Sequence, residues 1–252
     1  MINTDSLHLD HVAIGYGARR KTARAVGCGL SAAAAAGSLT CLIGRNGSGK
    51  STLLRTIARL QPPLAGSILI GTDDTSKMRR EELARRLSIV LTQRPDTDNM
   101  TVGELVALGR APHTGFWGQL SPADRQAVDR ALALAGISHM AARRVSSLSD
   151  GECQKAMVAK SLAQDTPVIL LDEPSAFLDY PGKVELMRLL ARLAHDEGKT
   201  ILLSTHDLDT ALSLADRLWL MHDGRLDEGT PQELAGSGML ARVMGVAAAD
   251  SD

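Results

Sequence analysis

The segment "GRNGSGKST", residues 44–52, contains the residue types that bind phosphate. It fits the pattern G-x-x-x-x-G-K-[ST], which arises by chance in roughly one in a hundred chains of this length. An apolar run that predicts a β-strand precedes it, and a helical pattern follows it, which is the context that a phosphate-binding loop requires. The other interpretation is a glycine-rich turn with a solvated lysine, and the flanking pattern argues against it.

Each residue type in this loop has a chemical purpose. Gly44, Gly47 and Gly49 allow backbone N–H groups to turn inward around a phosphate, and the start of the following helix adds positive potential. Lys50 has the length to reach the β- and γ-phosphates of a nucleotide, and the Ser51 hydroxyl is a suitable ligand for Mg²⁺. The loop therefore predicts binding of a nucleoside triphosphate together with Mg²⁺.

Two acidic residues end an apolar run further along the chain, in "VILLDE", residues 168–173. Asp172 is expected to hold Mg²⁺ through water, and Glu173 to polarise an attacking water molecule. An apolar strand that ends in acids is common and carries little information by itself. Combined with the phosphate loop, it predicts hydrolysis of the nucleotide.

A third segment, "SSLSDGECQK" at residues 146–155, places a serine and a glycine at a predicted helix start. Ser149 is the predicted N-cap and Glu152 the third helical residue, which together form a capping box. Asp150 and Glu152, however, put two carboxylates where a phosphate would lie. A phosphate that binds at this helix start would meet the Ser149 hydroxyl and the Gly151 N–H, with Asp150 pointing away from it.

Short apolar runs are expected to position these segments. "SLTCLIG" (38–44), "PVILLDE" (167–173) and "TILLST" (200–205) predict buried parallel strands. Because helical patterns alternate with these strands, the sequence indicates an open α/β sheet.

Antiparallel strands and a helical insertion are predicted around that sheet. "LHLDHVAIGYG" and "GSILIGTDD" have the pattern of antiparallel strands. Helical patterns, each with Ser, Thr or Asp in a capping position, fill residues 94–165, between the first and the second of those apolar runs. The sequence around Asp223 and Gly224 predicts a hairpin followed by a short helix. We expect a single domain over residues 1–252, in which 1–93 and 166–252 form the catalytic core with the antiparallel β subdomain and 94–165 form a helical subdomain.

The composition excludes several classes of protein. The formal net charge is −1 and no dense Lys/Arg block occurs, so nucleic acid is not an expected partner. The three cysteines form no CxxC pair, which indicates neither a disulfide framework nor a zinc site and fits a reducing cytosol. The N-terminus has no secretory signal pattern, and no apolar run approaches ~20 residues. We expect a soluble chain, or one that acts at a membrane through a partner.

The order of these motifs resembles the nucleotide-binding domain of ABC transporters. "LSDGE" lies upstream of "VILLDE" with one helix between them, and "SAFLD" (175–179) follows almost directly. His206 lies just past the next strand, and Gln93 opens the helical insertion. The resemblance covers nearly the whole chain. It implies an α/β fold with a P-loop NTPase (RecA-like) core and a mainly parallel sheet, an N-terminal antiparallel β subdomain and an inserted helical subdomain.

The resemblance also implies roles for single residues. Gln93 resembles the glutamine that senses Mg²⁺ and nucleotide and contacts the membrane partner, and His206 resembles the switch histidine beside the γ-phosphate. Asp179 resembles the aspartate that links the two subunits, and Tyr16 the aromatic residue that stacks on adenine. In this family the segment equivalent to 146–155 binds the γ-phosphate of ATP held by the other subunit. Two ATP molecules are thus sandwiched in a head-to-tail homodimer.

The complete set of implied site residues follows. The catalytic residues are Lys50, Glu173 and His206. The ATP-binding residues are Tyr16, Gly44, Arg45, Asn46, Gly47, Ser48, Gly49, Lys50, Ser51, Thr52 and Gln93. Contacts to the partner's ATP come from Ser149, Gly151 and Glu152. The Mg²⁺ ligands are Ser51, Gln93 and Asp172.

Three of these residues also have structural interpretations, and a fourth, Tyr16, has a spacing that departs from the family pattern. Gln93 can be a turn residue before a proline, and His206 a helix cap in "STHDLDTA". Asp179 can cap the helix that follows it. Tyr16 is separated from Gly44 by several residues more than is usual in the family.

Residues 109–137 resemble the insertion in ATPases of iron-chelate importers, the group that carries siderophores, haem and cobalamin. His113 lies there in a Pro/Gly turn, which favours a structural role over a metal site. The implied partners are a second copy, two permease subunits and, indirectly, an extracytoplasmic binding protein, with the chain peripheral at the cytoplasmic face of the membrane. The alternatives are an ABC ATPase for another cargo, an ABC ATPase outside transport, and a small-molecule phosphotransferase.

Overall fold

A computed structural model describes residues 5–17, 24–92, 99–115 and 118–245. The strands are β1 (Leu7–Tyr16), β2 (Arg24–Ala34), β3 (Leu39–Ile43), β4 (Ala65–Ile70), β5 (Asp73–Asp74), β6 (Leu87–Val90), β7 (Val168–Asp172), β8 (Thr200–Ser204), β9 (Arg217–His222) and β10 (Arg225–Gly229). The helices are α1 (Lys50–Ile57), α2 (Arg80–Ala84), α3 (Val102–Ala107), α4 (Pro122–Leu134), α5 (Asp150–Ala163), α6 (Tyr180–His195), α7 (Leu208–Leu214), α8 (Pro231–Gly236) and α9 (Met239–Met244).

A six-stranded sheet in the order β10-β9-β3-β8-β7-β6 forms the centre of the fold. Every pair is parallel except β9 with β10, which form the predicted hairpin at Asp223 and Gly224. Strands β3, β7 and β8 are buried along their whole length, which explains their uninterrupted apolar sequences. Because parallel strands end at the same edge, the phosphate loop after β3 and the acids after β7 meet there.

A second sheet in the order β2-β1-β4-β5 is antiparallel, as the sequence predicts for β1 and β4. Its apolar face packs in one cluster with Leu53, Leu54 and Ile57 of α1 and with Trp219 of β9. The helix that follows the phosphate loop is therefore held between the two sheets.

Helices α3, α4 and α5 lie between β6 and β7 in the chain and share a common apolar cluster. Thr101, Ser121 and Ser149 each form a capping box at the start of one of them, which confirms the predicted helix starts. Apart from an isolated bridge between Thr101 and Arg144, the described residues of this region contain no strand pairing.

Two strands were not expected from the sequence. Strand β2 is rich in alanine and glycine, which have low strand propensity, and it forms because β1 supplies a pairing partner along its length. Strand β6, "LSIV", is only four residues long and pairs with β7 at the edge of the sheet. In both cases tertiary pairing outweighs a weak local signal.

The Pro/Gly turn around His113 joins the helical region to the sheet. The His113 ring is 2.9 Å from the Gln164 carbonyl oxygen through Nε2, and the Gln164 amide donates to the carbonyls of Ala84 and Leu87. His113 is thus a structural residue, as its setting predicts. Among the described residues no group of three or more His, Cys, Asp and Glu side chains is placed to hold a metal ion.

None of the described helices combines the length and the apolar character needed to cross a membrane.

A buried ion pair stabilises the helical region. Arg110 donates from Nε to Asp124 Oδ1 at 2.9 Å and from Nη1 to the Ala163 carbonyl at 2.8 Å, and both charged side chains are nearly buried. Hydrogen bonds from Ser121, together with the Arg110 guanidinium, lower the pKa of Asp124 to about 2.

We expect Arg110→Leu to lower the thermal unfolding midpoint by more than about 5 °C, because it leaves Asp124 charged and without its cation. The matched control is Arg130→Leu, which breaks an exposed pair with Glu197 and should cost less than about 2 °C. Because the pKa of Asp124 is lowered in the fold, its contribution is complete above about pH 4 and is lost as the pH falls toward about 2. Equal effects of both substitutions in a melting experiment would contradict this assignment.

Candidate nucleotide-binding site

The phosphate loop is a tight turn that requires glycine. Gly44 and Gly49 have φ angles of 156° and 109°, in a region that other residues rarely adopt. A Cβ on Gly44 would come within 2.3 Å of the Met221 carbonyl oxygen, and one on Gly49 within 2.6 Å of Val26 Cγ1. The loop backbone therefore lies directly against β2 and the end of β9.

Lys50 lies across the mouth of this loop. Its side chain donates from Nζ to the Gly44 carbonyl at 2.8 Å and is 3.3 Å from the Arg45 carbonyl. Burial lowers the pKa of Lys50, while Glu173 and Asp172 act in the opposite direction. The residue thus places an ammonium group in a largely enclosed site, where a bound phosphate is its natural counter-ion.

Asp172 is the centre of the site. Its Oδ1 accepts hydrogen bonds from the hydroxyls of Ser51 and Ser204, each at 2.9 Å, and only 3% of the residue is exposed. Its carbonyl accepts from the Thr92 hydroxyl at 2.7 Å. One carboxylate thus joins α1, β7 and β8. It also lies beside the Ser51 hydroxyl, and oxygen atoms of these two kinds are ligands that Mg²⁺ prefers.

Glu173 and His206 lie next to this carboxylate. Glu173 has a φ of 47°, a conformation that costs a non-glycine residue about 1–3 kcal/mol and that clusters at functional sites. Its N–H donates to Ser204 Oγ at 2.9 Å, and its Oε2 lies 3.6 Å from His206 Nδ1. His206 does not cap α7, because Asp207 does so.

Tyr16 stands at the end of β1, and its ring is largely exposed beside α1. Its hydroxyl lies 2.8 Å from Thr52 Oγ1, which ties the ring to the helix that begins at the phosphate loop. Gln61 supports the same corner by donating to Thr56 Oγ1 at 3.0 Å. An exposed aromatic face next to a phosphate loop is suited to stacking on a nucleotide base.

The 146–155 segment has its own local geometry. Ser149 N donates to Glu152 Oε2 at 2.9 Å, and Glu152 N donates to Ser149 Oγ at 3.3 Å, which confirms the predicted capping box. The bond from Ser149 N, together with Arg143, lowers the pKa of Glu152. A Cβ on Gly151 would come 3.3 Å from Leu178 Cδ2, so the glycine lets α5 lie close to the 175–179 segment.

The structure thus divides the predicted residues into two groups. The first group surrounds one place at the edge of the sheet and consists of the loop residues together with Asp172, Glu173, His206 and Tyr16. Within the described residues, the hydrogen bonds of Ser149 and Glu152 stay in the helical region, and Asp179 accepts from Gly182 N at 3.0 Å as the cap of α6. Gln93 lies outside the described residues.

Sequence reasoning missed Ser204, which touches both acidic residues. Strand pairing places it directly opposite Asp172 in neighbouring strands. The available signal was a hydroxyl residue at the end of an apolar strand, two positions before His206.

Comparison with known proteins agrees with this geometry. The sequence profile described as ABC transporter matches residues 29–176. The chain is 36% identical over 211 residues to the ferric enterobactin transport ATP-binding protein FepC of Escherichia coli (strain K12), covering 83% of this chain and 78% of that protein. It is 42% identical over 200 residues to the probable siderophore transport system ATP-binding protein YusV of Bacillus subtilis (strain 168), covering 79% and 72%. A dimeric bacterial ABC transporter cassette superposes with a TM-score of 0.76 at 26% identity, covering 89% of this chain and 98% of that chain. These similarities confirm the predicted fold class and the resemblance.

We expect Ser204→Ala to lower the turnover rate of ATP hydrolysis by about 10–100-fold, because it frees both acidic residues to shift. ATP affinity should change by less than about threefold, since the loop itself is intact. Ser88→Ala is the matched control: it removes another buried serine hydroxyl of the same sheet, bonded to Ser161, away from the site. Similar rates for both variants in a phosphate-release assay would show that Ser204 has no special role.

Proposed function

The chain belongs to the ABC transporter family, and on that premise we propose that it is the ATP-hydrolysing subunit of an importer for an iron-siderophore type chelate. The observation that carries this proposal is the continuous contact from Ser51 through Asp172 and Ser204 to Glu173 and His206, beside Lys50. This chain of contacts brings the phosphate-binding residues and a candidate general base together at one edge of the sheet. Of the two relatives described above, one is named for ferric enterobactin transport and the other for probable siderophore transport.

The residues of this site suit in-line attack of water on a γ-phosphate. Lys50 supplies positive charge to the β- and γ-phosphates once it exchanges its loop carbonyls for phosphate oxygens. Glu173 orients the attacking water and accepts its proton, and His206, 3.6 Å away, contacts the γ-phosphate side of the same space. Tyr16 stacks on the adenine.

The same residues fit Mg²⁺. Ser51 and Asp172 present a hydroxyl and a carboxylate within hydrogen-bond distance of each other, and Gln93 completes the proposed ligand set. Bound Mg²⁺ neutralises charge on the β- and γ-phosphates.

A head-to-tail homodimer would complete the site. The hydrogen bonds of Ser149 and Glu152 lie within the helical region of their own chain, and the ligand proposed for the segment with Ser149, Gly151 and Glu152 is the ATP of a second copy. Asp179 lies next to it at the start of α6 and is placed to link the two copies. One solved structure of similar fold is described as dimeric.

A groove between the helical region and the sheet suits a permease. It encloses about 500 Å³ between the end of α1, α2, β6 and α5. Its floor is apolar, with Leu83, Leu87 and Met157, and Arg80 and Lys160 stand at its rim. We propose that a short helix of a permease subunit with an acidic residue docks here, so that the chain is peripheral at the cytoplasmic face of the membrane. Two permease subunits and an extracytoplasmic binding protein would complete the importer.

We expect Glu173→Gln to lower ATP hydrolysis by about 10²–10⁴-fold while ATP binding persists, because only the proton acceptor is removed. Stalled ATP should then hold two copies together, which light scattering with ATP and Mg²⁺ detects. Lys50→Ala should abolish both hydrolysis and this dimer, because it strongly weakens ATP binding.

The matched control is Glu185→Gln, which neutralises an exposed glutamate paired with Lys155. It should leave hydrolysis within about twofold of the original rate. Hydrolysis by Lys50→Ala at a normal rate would overturn the site assignment, and a permease-bound Glu173→Gln chain that binds ATP without dimerising would overturn the sandwich.

The cargo is tested by growth. A strain that carries Lys50→Ala should fail to grow with a ferric siderophore as its sole iron source and should grow normally with a soluble iron salt. Haem and cobalamin supply the comparison cultures. Normal growth on every siderophore offered, with failure on haem or cobalamin, would assign the other cargo class.

A further inference from the structure

Arg143 makes three hydrogen bonds to the 146–155 segment. Nη1 donates to Glu152 Oε1 at 2.8 Å, and Nη2 lies 3.4 Å from Glu152 Oε2 and 3.0 Å from the Ser147 carbonyl. The same Glu152 Oε2 accepts the bond from Ser149 N that closes the capping box. The guanidinium is therefore fixed to the carboxylate that closes the capping box.

The backbone of Arg143 is also fixed. Its carbonyl accepts from Val102 N at 2.9 Å at the start of α3, and its N–H donates to the Met140 carbonyl at 2.8 Å. These bonds fix the place from which the guanidinium reaches Glu152, nine residues further along the chain. Arg143 thus connects the start of α3, through its carbonyl, with the start of α5, through its guanidinium.

The charge of Glu152 needs such a partner if the segment receives a phosphate. A glutamine would close the capping box equally well, so the carboxylate adds a negative charge without adding to the local geometry. A carboxylate ~4 Å from one phosphate charge weakens binding by roughly three orders of magnitude at an effective dielectric of 20. Asp150 adds a second acid in the same turn.

We propose that Arg143 is a positioning residue that neutralises Glu152 and thereby keeps the start of α5 able to receive the γ-phosphate of ATP bound to a second copy of the chain. This inference rests on the proposed sandwich of two copies. Arginine suits the role because its charge is permanent and its planar fork binds both carboxylate oxygens. The bond to the Ser147 carbonyl also holds the turn that precedes Ser149.

The test separates charge neutralisation from a purely structural role. ATP hydrolysis is measured on four forms of the full chain bound to its permease: the original protein, Arg143→Ala, Glu152→Gln and the double variant. Arg143→Ala should lower kcat at least about tenfold when Glu152 is present, because an uncompensated carboxylate then faces the phosphate. With Gln at 152, the same substitution should lower kcat less than about twofold, because no charge remains to neutralise.

Two further measurements exclude loss of fold as the cause. The double variant has the same truncated side chain at 143, so a folding defect would persist in it and the rescue would not occur. Arg143→Lys keeps the charge without the fork and should lie between the original protein and Arg143→Ala. ATP affinity of the dilute, monomeric chain should stay within about twofold, because Arg143 is remote from the loop of its own copy.

Each outcome has one meaning. Equal loss in both backgrounds, or no loss in either, would overturn the role of Arg143 while the proposed function stands. Absence of hydrolysis by the original protein with its permease would instead overturn the proposed function. Rescue by Glu152→Gln supports both.

Discussion

The pairing of β7 with β8 sets Asp172 opposite Ser204, and the rest of the site depends on the hydrogen bond between them. A nearly buried carboxylate is costly unless donors compensate its lost hydration. Here two hydroxyls do so, from Ser51 on α1 and from Ser204 on β8. The Ser204 hydroxyl also accepts from the N–H of Glu173, and this second bond holds Glu173 in its left-handed conformation. A shift of either strand by one residue would separate the phosphate loop from the candidate base.

Charge compensation recurs at both ends of the proposed dimer site. In the loop, the Lys50 ammonium stands near two carboxylates that favour its charged form against the effect of burial. In the 146–155 segment the charges are reversed: the Arg143 guanidinium compensates the Glu152 carboxylate at the start of α5. Negative charge in the first turn favours the helix by about 0.3–1 kcal/mol, while the guanidinium limits its repulsion of an incoming phosphate. The Arg143 side chain thus lets α5 keep a stabilising negative charge in its first turn while a phosphate can still approach.

Polar contacts join the helical region to the sheet in addition to the apolar cluster that the two parts share. Gln164 and His113 link the end of α5 to β6 and α2, and Lys199 pairs with Asp165 at the other side. Arg110 and Asp124 hold the helices to one another from within. The groove proposed for the permease lies along this junction, so a docked helix would touch both parts at once.

Sequence alone determined the features in which residue type and spacing carry the physics. The glycines of the loop reflect backbone angles and contacts that exclude a Cβ, the apolar runs reflect strands buried on both faces, and the caps at Thr101, Ser121 and Ser149 reflect donors that every helix start leaves unpaired. Only the tertiary structure decided the strands β2 and β6, whose local signals are weak: β2 forms by pairing with β1, the strand before it, and the short β6 by pairing with the distant β7. It alone placed Ser204 against Asp172 and Arg143 against Glu152, because strand register and the packing of α3 on α5 bring together residues whose separation in sequence has no fixed period.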